Sequence, residues 1–164
     1  MITLVLGGAR SGKSEIAEQL VARLPPPIVY VATLLPRHDD DLAARIVTHR
    51  ERRPSDWKTI EAGANLVAAI EQEPDATMLV DSLGPWVSAH PGFATDTDAL
   101  VAALRARHAP TVIVAEEVGM GVHPSSEDGR AFRDALGTVN TAVARIADEV
   151  LLVVAGRVLR LERP

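Results

Sequence analysis

The chain has 164 residues, of which 47% are hydrophobic, 24% charged and only 3% aromatic. These proportions suit one domain over residues 1–164 with a core of Val, Leu, Ile and Ala, and exclude disorder of the whole chain. A net charge of −5 at pH 7 argues against a basic nucleic-acid binder, and the lack of cysteine excludes a disulfide scaffold, a thiolate zinc site and a cysteine nucleophile.

In chain order, Met1–Leu6 reads as a first strand that runs into Gly7-Gly8-Ala9-Arg10-Ser11-Gly12-Lys13-Ser14. No basic flank or cleavage site follows the apolar start, and no apolar run approaches the ~20 residues of a membrane span, so a cytoplasmic protein without a span is expected. Lys13–Leu24 has helical periodicity and is stopped by Pro25, Pro26 and Pro27. Ile28–Ala32 is the second strand and Leu34–Asp40 a loop. Asp40–Arg53 is a helix, acidic at its start and basic at its end as the dipole favours, stopped by Pro54. Ala64–Gln72 is helical, Thr77–Asp81 a strand, and Gly84–Asp96, rich in Gly, Pro, Thr and Asp, a loop. Helix Thr97–His108, strand Thr111–Glu116 and helix Asp128–Ala147 follow. Glu149–Ala155 and Val158–Leu161, joined by Gly156–Arg157, form a hairpin.

Most of these strands are apolar at consecutive positions, the pattern of strands covered on both faces. The alternation of strands and helices therefore predicts an α/β domain with a mostly parallel sheet, helices on both faces and one antiparallel edge strand.

Residues 7–14 fit G-x-x-x-x-G-K-[ST] between a strand and a helix, the context that this phosphate-binding motif requires. Glycines let several backbone N–H groups converge on one anion, and the helix N-terminus adds partial positive charge. Lys13 would reach the β- and γ-phosphates of a nucleoside triphosphate, and the Ser14 hydroxyl would join Mg²⁺. A second metal-holding oxygen is expected at the end of another strand. Asp81 is the first candidate, with a helix-cap or turn role as its alternative, and Glu116 and Glu117 follow it. Two readings of His49 stand side by side. It is a surface histidine near a solvated helix end bearing Arg50, Arg52 and Arg53, or a nucleophile for a nucleotide phosphate with those arginines neutralising charge.

A longer set of residues carries a resemblance. The phosphate loop is followed by Tyr30-Val31-Ala32-Thr33, by Arg45-Ile46, and by His49-Arg50-x-x-Arg53-Pro54-x-x-Trp57-x-x-x-Glu61. Val80-Asp81, Glu117-Val118-Gly119-Met120-Gly121, Phe132-Arg133-Asp134 and Ala147-Asp148-Glu149-Val150 come next. This order resembles the bifunctional adenosylcobinamide kinase/adenosylcobinamide-phosphate guanylyltransferase family nearly end to end.

The resemblance implies a P-loop NTPase-like fold, commonly assembled as a homotrimer, and two steps late in cobalamin synthesis. ATP or GTP phosphorylates adenosylcobinamide, and GTP then yields adenosylcobinamide-GDP and pyrophosphate through a guanylylated histidine, which falls on His49. By the same resemblance Gly7, Gly8, Ala9, Arg10, Ser11, Gly12, Lys13 and Ser14 hold the triphosphate. Thr33, Leu34 and Leu35 lie beside the nucleotide. Arg50, Glu51, Arg52, Arg53, Glu61 and Asp81 complete the nucleotide contacts, with Ser14 and Asp81 on Mg²⁺. The chain departs from the family where Glu116 stands in place of a frequent Asn, and where a short segment, Ser82-Leu83-Gly84-Pro85-Trp86, follows Asp81. A small-molecule kinase without guanylyl transfer and a nucleotide-binding switch are the alternative functions.

Overall fold

The computed structural model describes residues 1–34 and 54–163. Among them, β1 (Ile2–Gly7), β2 (Ile28–Ala32), β3 (Lys58–Glu61), β4 (Thr77–Asp81), β5 (Thr111–Glu116), β6 (Glu149–Val154) and β7 (Arg157–Leu161) form one sheet of order β3-β2-β4-β5-β1-β6-β7. All neighbouring pairs are parallel except β6 with β7. The helices are α1 (Lys13–Val21), α2 (Leu66–Glu71), α3 (Leu83–Ser88), α4 (Thr97–Arg105) and α5 (Glu127–Ile146).

The continuous apolar runs are explained by a core on each side of the sheet. Leu4, Leu6, Val29, Val31, Met78, Val80 and Ile113 face one layer, filled by Leu66, Ile70, Leu83, Trp86, Leu100, Leu104, Leu136 and Val143 of α2–α5. The intervening Val5, Tyr30, Leu79, Val112 and Val114 face the other, where Ala17 and Val21 of α1 and Trp57 pack. Since successive strand residues point to opposite faces, a strand buried on both must be apolar at every position. The expected α/β architecture is present, with β7 as the antiparallel edge.

The structure differs from the sequence-based expectation in four places. Gly84–Asp96 is not a plain loop: Leu83–Ser88 is helical and Pro91–Phe93 makes a 3₁₀ turn. Leu83, Trp86 and Val87 bury one helical face, and Pro85 stands in the first turn, where its missing N–H is not required. The edge strand β3 was not anticipated, because Lys58-Thr59-Ile60-Glu61 is short, polar and largely exposed. The hairpin turn is Ala155–Gly156 rather than Gly156–Arg157, with φ of 50° and 72°, as a two-residue turn of the I′ kind demands. Helices α1 and α4 stop at Val21 and Arg105, three residues short of the predicted ends. The predicted helix Asp40–Arg53 and all of the predicted loop beyond Leu34 lie outside the described residues.

Candidate functional site

Strand β1 lies between β5 and β6, and α1 begins six residues past its last residue, Gly7, so the loop 7–14 stands at the carboxyl edge of the sheet where the strand order reverses. The local chemistry of the turn is steric. Gly12 caps α1 in the left-handed region at φ 92° and ψ 7°, which favours glycine, and Arg10 precedes it at φ 56°. A Cβ on Gly7 would strike the Ser11 hydroxyl and come within 2.8 Å of the Val153 carbonyl oxygen. The β6–β7 turn supports the loop from outside: the Gly156 N–H donates to the Ser11 carbonyl at 2.8 Å, and Gly156 Cα would be 3.5 Å from a Cβ on Gly12.

Beside the loop, the ends of β4 and β5 bring carboxylates to the same edge. Ser14 Oγ donates to Asp81 Oδ1 at 3.3 Å, and the Tyr30 hydroxyl donates to Asp81 Oδ2 at 2.9 Å. Lys13 Nζ lies 3.7 Å from Glu116 Oε1 and 3.5 Å from the Gly8 carbonyl oxygen. Glu116 Oε1 also accepts from Ser82 Oγ at 2.7 Å, and its Oε2 accepts from the Gly84 N–H at 2.9 Å. Below it, Asn140 of α5 donates to the Glu116 carbonyl at 3.0 Å. The Glu117 N–H donates to the Gly7 carbonyl at 3.0 Å, tying the segment after β5 to the phosphate loop.

Of the residues singled out in the sequence, Gly7, Gly8, Ala9, Arg10, Ser11, Gly12, Lys13, Ser14 and Asp81 come together. Thr33 is buried at the exit of β2. Its hydroxyl donates to the Ser82 carbonyl at 2.5 Å and accepts from the Ser82 N–H at 2.9 Å, so it joins β2 to β4. Leu34 follows it as an exposed side chain. Glu61 ends β3 at the far edge of the sheet, four strands from β1, which is about 19 Å at the usual strand spacing. His49, Leu35, Arg50, Glu51, Arg52 and Arg53 lie outside the described residues.

Sequence reasoning ranked Glu116 behind Asp81 and did not single out Tyr30, Ser82, Asn140 or Gly156 as individual contacts. A carboxylate at the end of an apolar strand was the available signal for Glu116. Its partnership with Lys13 required knowing that β5 sits directly beside β1. The Ser14 and Asp81 oxygens are hard donors of the kind Mg²⁺ prefers, which holds one or two carboxylates and completes its shell with phosphates and waters. The residues present therefore fit a nucleotide-bound Mg²⁺.

Comparison with known proteins adds four findings. Residues 3–161 match the family described as cobinamide kinase / cobinamide phosphate guanyltransferase. The chain is 39% identical to the bifunctional adenosylcobalamin biosynthesis protein CobU of Salmonella typhimurium, covering 95% of this chain and 97% of that one. It is 35% identical to the bifunctional adenosylcobalamin biosynthesis protein CobP of Pseudomonas aeruginosa, covering 95% and 94%. Among solved structures, a prototypical ATPase from the type III secretion system of pathogenic bacteria superposes with a TM-score of 0.57 at 12% identity. That match covers 92% of this chain but half of the longer ATPase, and shows a shared fold alone.

Proposed function

The chain belongs to the cobinamide kinase / cobinamide phosphate guanyltransferase family, and from that premise we infer that one phosphate cradle on one domain serves two successive transfers. The enzyme is a bifunctional transferase of adenosylcobalamin biosynthesis. In the kinase step, the hydroxyl of adenosylcobinamide attacks the γ-phosphorus of ATP or GTP. An O–P bond forms, the β–γ bridge breaks, and the electron pair leaves on the β-phosphate oxygen. In the second step, a nitrogen of His49 attacks the α-phosphorus of GTP and pyrophosphate leaves. A phosphate oxygen of adenosylcobinamide phosphate then takes the GMP from the histidine, giving adenosylcobinamide-GDP.

The observation that carries this reading is the meeting of Lys13, Ser14 and Asp81 at one mouth, with Ser14 Oγ 3.3 Å from Asp81 Oδ1. The backbone N–H groups of residues 8–14 bind the phosphates, and Lys13 neutralises charge that moves onto the β–γ bridge as the bond breaks. Ser14 and Asp81 would hold Mg²⁺, which supplies a further positive centre on the phosphates when bound. Thr33, Leu34 and Leu35 flank the nucleotide, although the Thr33 hydroxyl is committed to Ser82 and acts by shaping the crevice. Arg50, Glu51, Arg52 and Arg53, which follow His49 in sequence, are assigned to binding the guanylyl nucleotide. The distance of Glu61 from the loop supports a contact with the base or ribose end of GTP rather than with its phosphates. Association into a homotrimer is part of this reading. The exposed Val154, Val158 and Leu159 on the edge hairpin favour contact between copies, which light scattering on the purified protein would test. A cytoplasmic location is part of the same reading, and no described helix is long and apolar enough to cross a membrane.

Incubation with GTP labelled at the α-phosphorus tests the scheme. An acid-labile covalent GMP adduct is expected on the wild-type protein and not on His49→Asn, which should still move the γ-phosphate to cobinamide. Normal labelling of His49→Asn would remove His49 from the mechanism. Phosphorylation of cobinamide without any adduct would favour a kinase alone, and nucleotide binding without transfer would favour a switch.

A further inference from the structure

The kinase scheme gives Lys13 a task only once a nucleotide is present, yet its side chain is only 13% exposed. With the stem packed and the Nζ held near the Gly8 carbonyl, the ammonium is favoured by a counter-charge beside it. The phosphate loop offers none, because it is built to present donors. Glu116 provides the charge, with Oε1 3.7 Å from Lys13 Nζ.

The carboxylate is itself held from three sides. Ser82 Oγ and the Gly84 N–H each occupy one oxygen, and Asn140 pins the main chain at the Glu116 carbonyl. Gly84 leaves the space that the carboxylate fills, since a Cβ there would collide with Glu116 Oε2. The carboxylate is therefore anchored independently of the lysine, and of the two partners the lysine is the one with a long, flexible stem.

We propose that Glu116 is a positioning residue that holds Lys13 before nucleotide binds and surrenders it to the incoming phosphates. Triphosphate binding is thus an exchange of one anion for another at Lys13. The carboxylate left behind faces the phosphates and weakens their hold. The consequence is a site that binds nucleotide less tightly than its cradle alone would allow and releases product more readily. The inference rests on the reading that Lys13 meets nucleotide phosphates.

Lys13 and Lys58 are the only lysines in the chain, and Lys58 is paired with Glu73 outside the site, so one amine-acylating reagent gives a two-site ratio by peptide mass mapping. In nucleotide-free protein, Glu116→Gln should raise acylation of Lys13 relative to Lys58 by about two- to fivefold, the range a contact of this strength allows. Glutamine keeps an oxygen for the Gly84 N–H but has no charge for the lysine. The same variant should lower the nucleoside triphosphate Kd, and the nucleotide KM, by a similar factor. The KM for cobinamide and the affinity for a nucleoside monophosphate should not change. Glu116→Asn serves as the second variant should the first fold poorly. Glu15→Gln, which removes an equal charge from the exposed first turn of α1, separates contact from general field. An unchanged Lys13 ratio in both Glu116 variants, or an equal rise in Glu15→Gln, would overturn the proposal. Failure of triphosphate to protect Lys13 in the wild type would instead overturn the reading of the loop, leaving the Lys13–Glu116 pair standing.

Discussion

Gly7, the fixed first glycine of the phosphate-binding motif, and Gly8, which fills the motif's first free position, should respond in opposite ways to the same added methyl group. At Gly7 a Cβ would meet the Ser11 hydroxyl and sit 2.8 Å from the Val153 carbonyl oxygen. The serine could turn away, but Val153 is the partner of Gly7 in the β1–β6 ladder, so its oxygen cannot retreat without breaking the pairing. Overpacking of this sort costs about 1–3 kcal/mol. For a chain of this size each kcal/mol moves the midpoint by about 2–4 °C, so Gly7→Ala should lower Tm by roughly 2–12 °C. At Gly8 nothing lies within 4 Å of the added atom, and its φ is not in the left-handed region. There the smaller entropy of the unfolded chain dominates, and Gly8→Ala should leave Tm unchanged or raise stability by about 0.4–1 kcal/mol. Thermal melts of both variants, without nucleotide because a ligand would itself shift Tm, read the contrast. Equal losses, or a larger loss at Gly8, would refute the steric argument.

Other substitutions follow from contacts away from the phosphates. Arg107 donates to Thr111 Oγ1 and to the carbonyls of Ile70, Glu73 and Ala76, and burial lowers its pKa against the raising effects of Asp75 and Glu73. Arg107→Met would strand those carbonyls and should cost about 2–4 kcal/mol in urea unfolding, with nucleotide affinity little changed. Ala155 holds φ 50° in the β6–β7 turn, so Ala155→Gly should stabilise by about 0.5–1 kcal/mol in the same assay. Thr33→Val removes the donor to the Ser82 carbonyl and the acceptor for its N–H, both buried, and should cost about 1–3 kcal/mol. A loss below ~0.5 kcal/mol would show that Thr33 does not join β2 to β4 energetically.

The legible parts of the fold were those whose signal is local. Residues 7–14 carry their own geometry, because the positive φ at Gly12 and the helix opening at Lys13 are consequences of neighbouring residue types. Strands β1, β2, β4, β5 and β6 announced themselves by apolar runs that only a sheet covered on both faces requires. Strand β3 did not, since its hydrogen bonds to β2 stabilise a segment whose side chains are mostly in water. Helix α3 was hidden by Gly84 and Pro85, which read as loop residues until Leu83, Trp86 and Val87 are seen to share one buried face.

The site divides along the same line. The amino-acid order alone determined the phosphate cradle, the α/β class, the edge hairpin and the family membership, because each rests on residues adjacent in sequence or on patterns repeated along it. The pairing of Asp81 with Ser14 was already expected from the sequence, and only the folded arrangement showed their contact and set a second carboxylate against Lys13. Asp81 reaches Ser14 across 67 positions, and Glu116 faces Lys13 because the order of the strands sets β5 against β1. Strand order is fixed by crossovers and by packing of helices on both faces, which couple residues far apart in the chain, and no local periodicity carries that information.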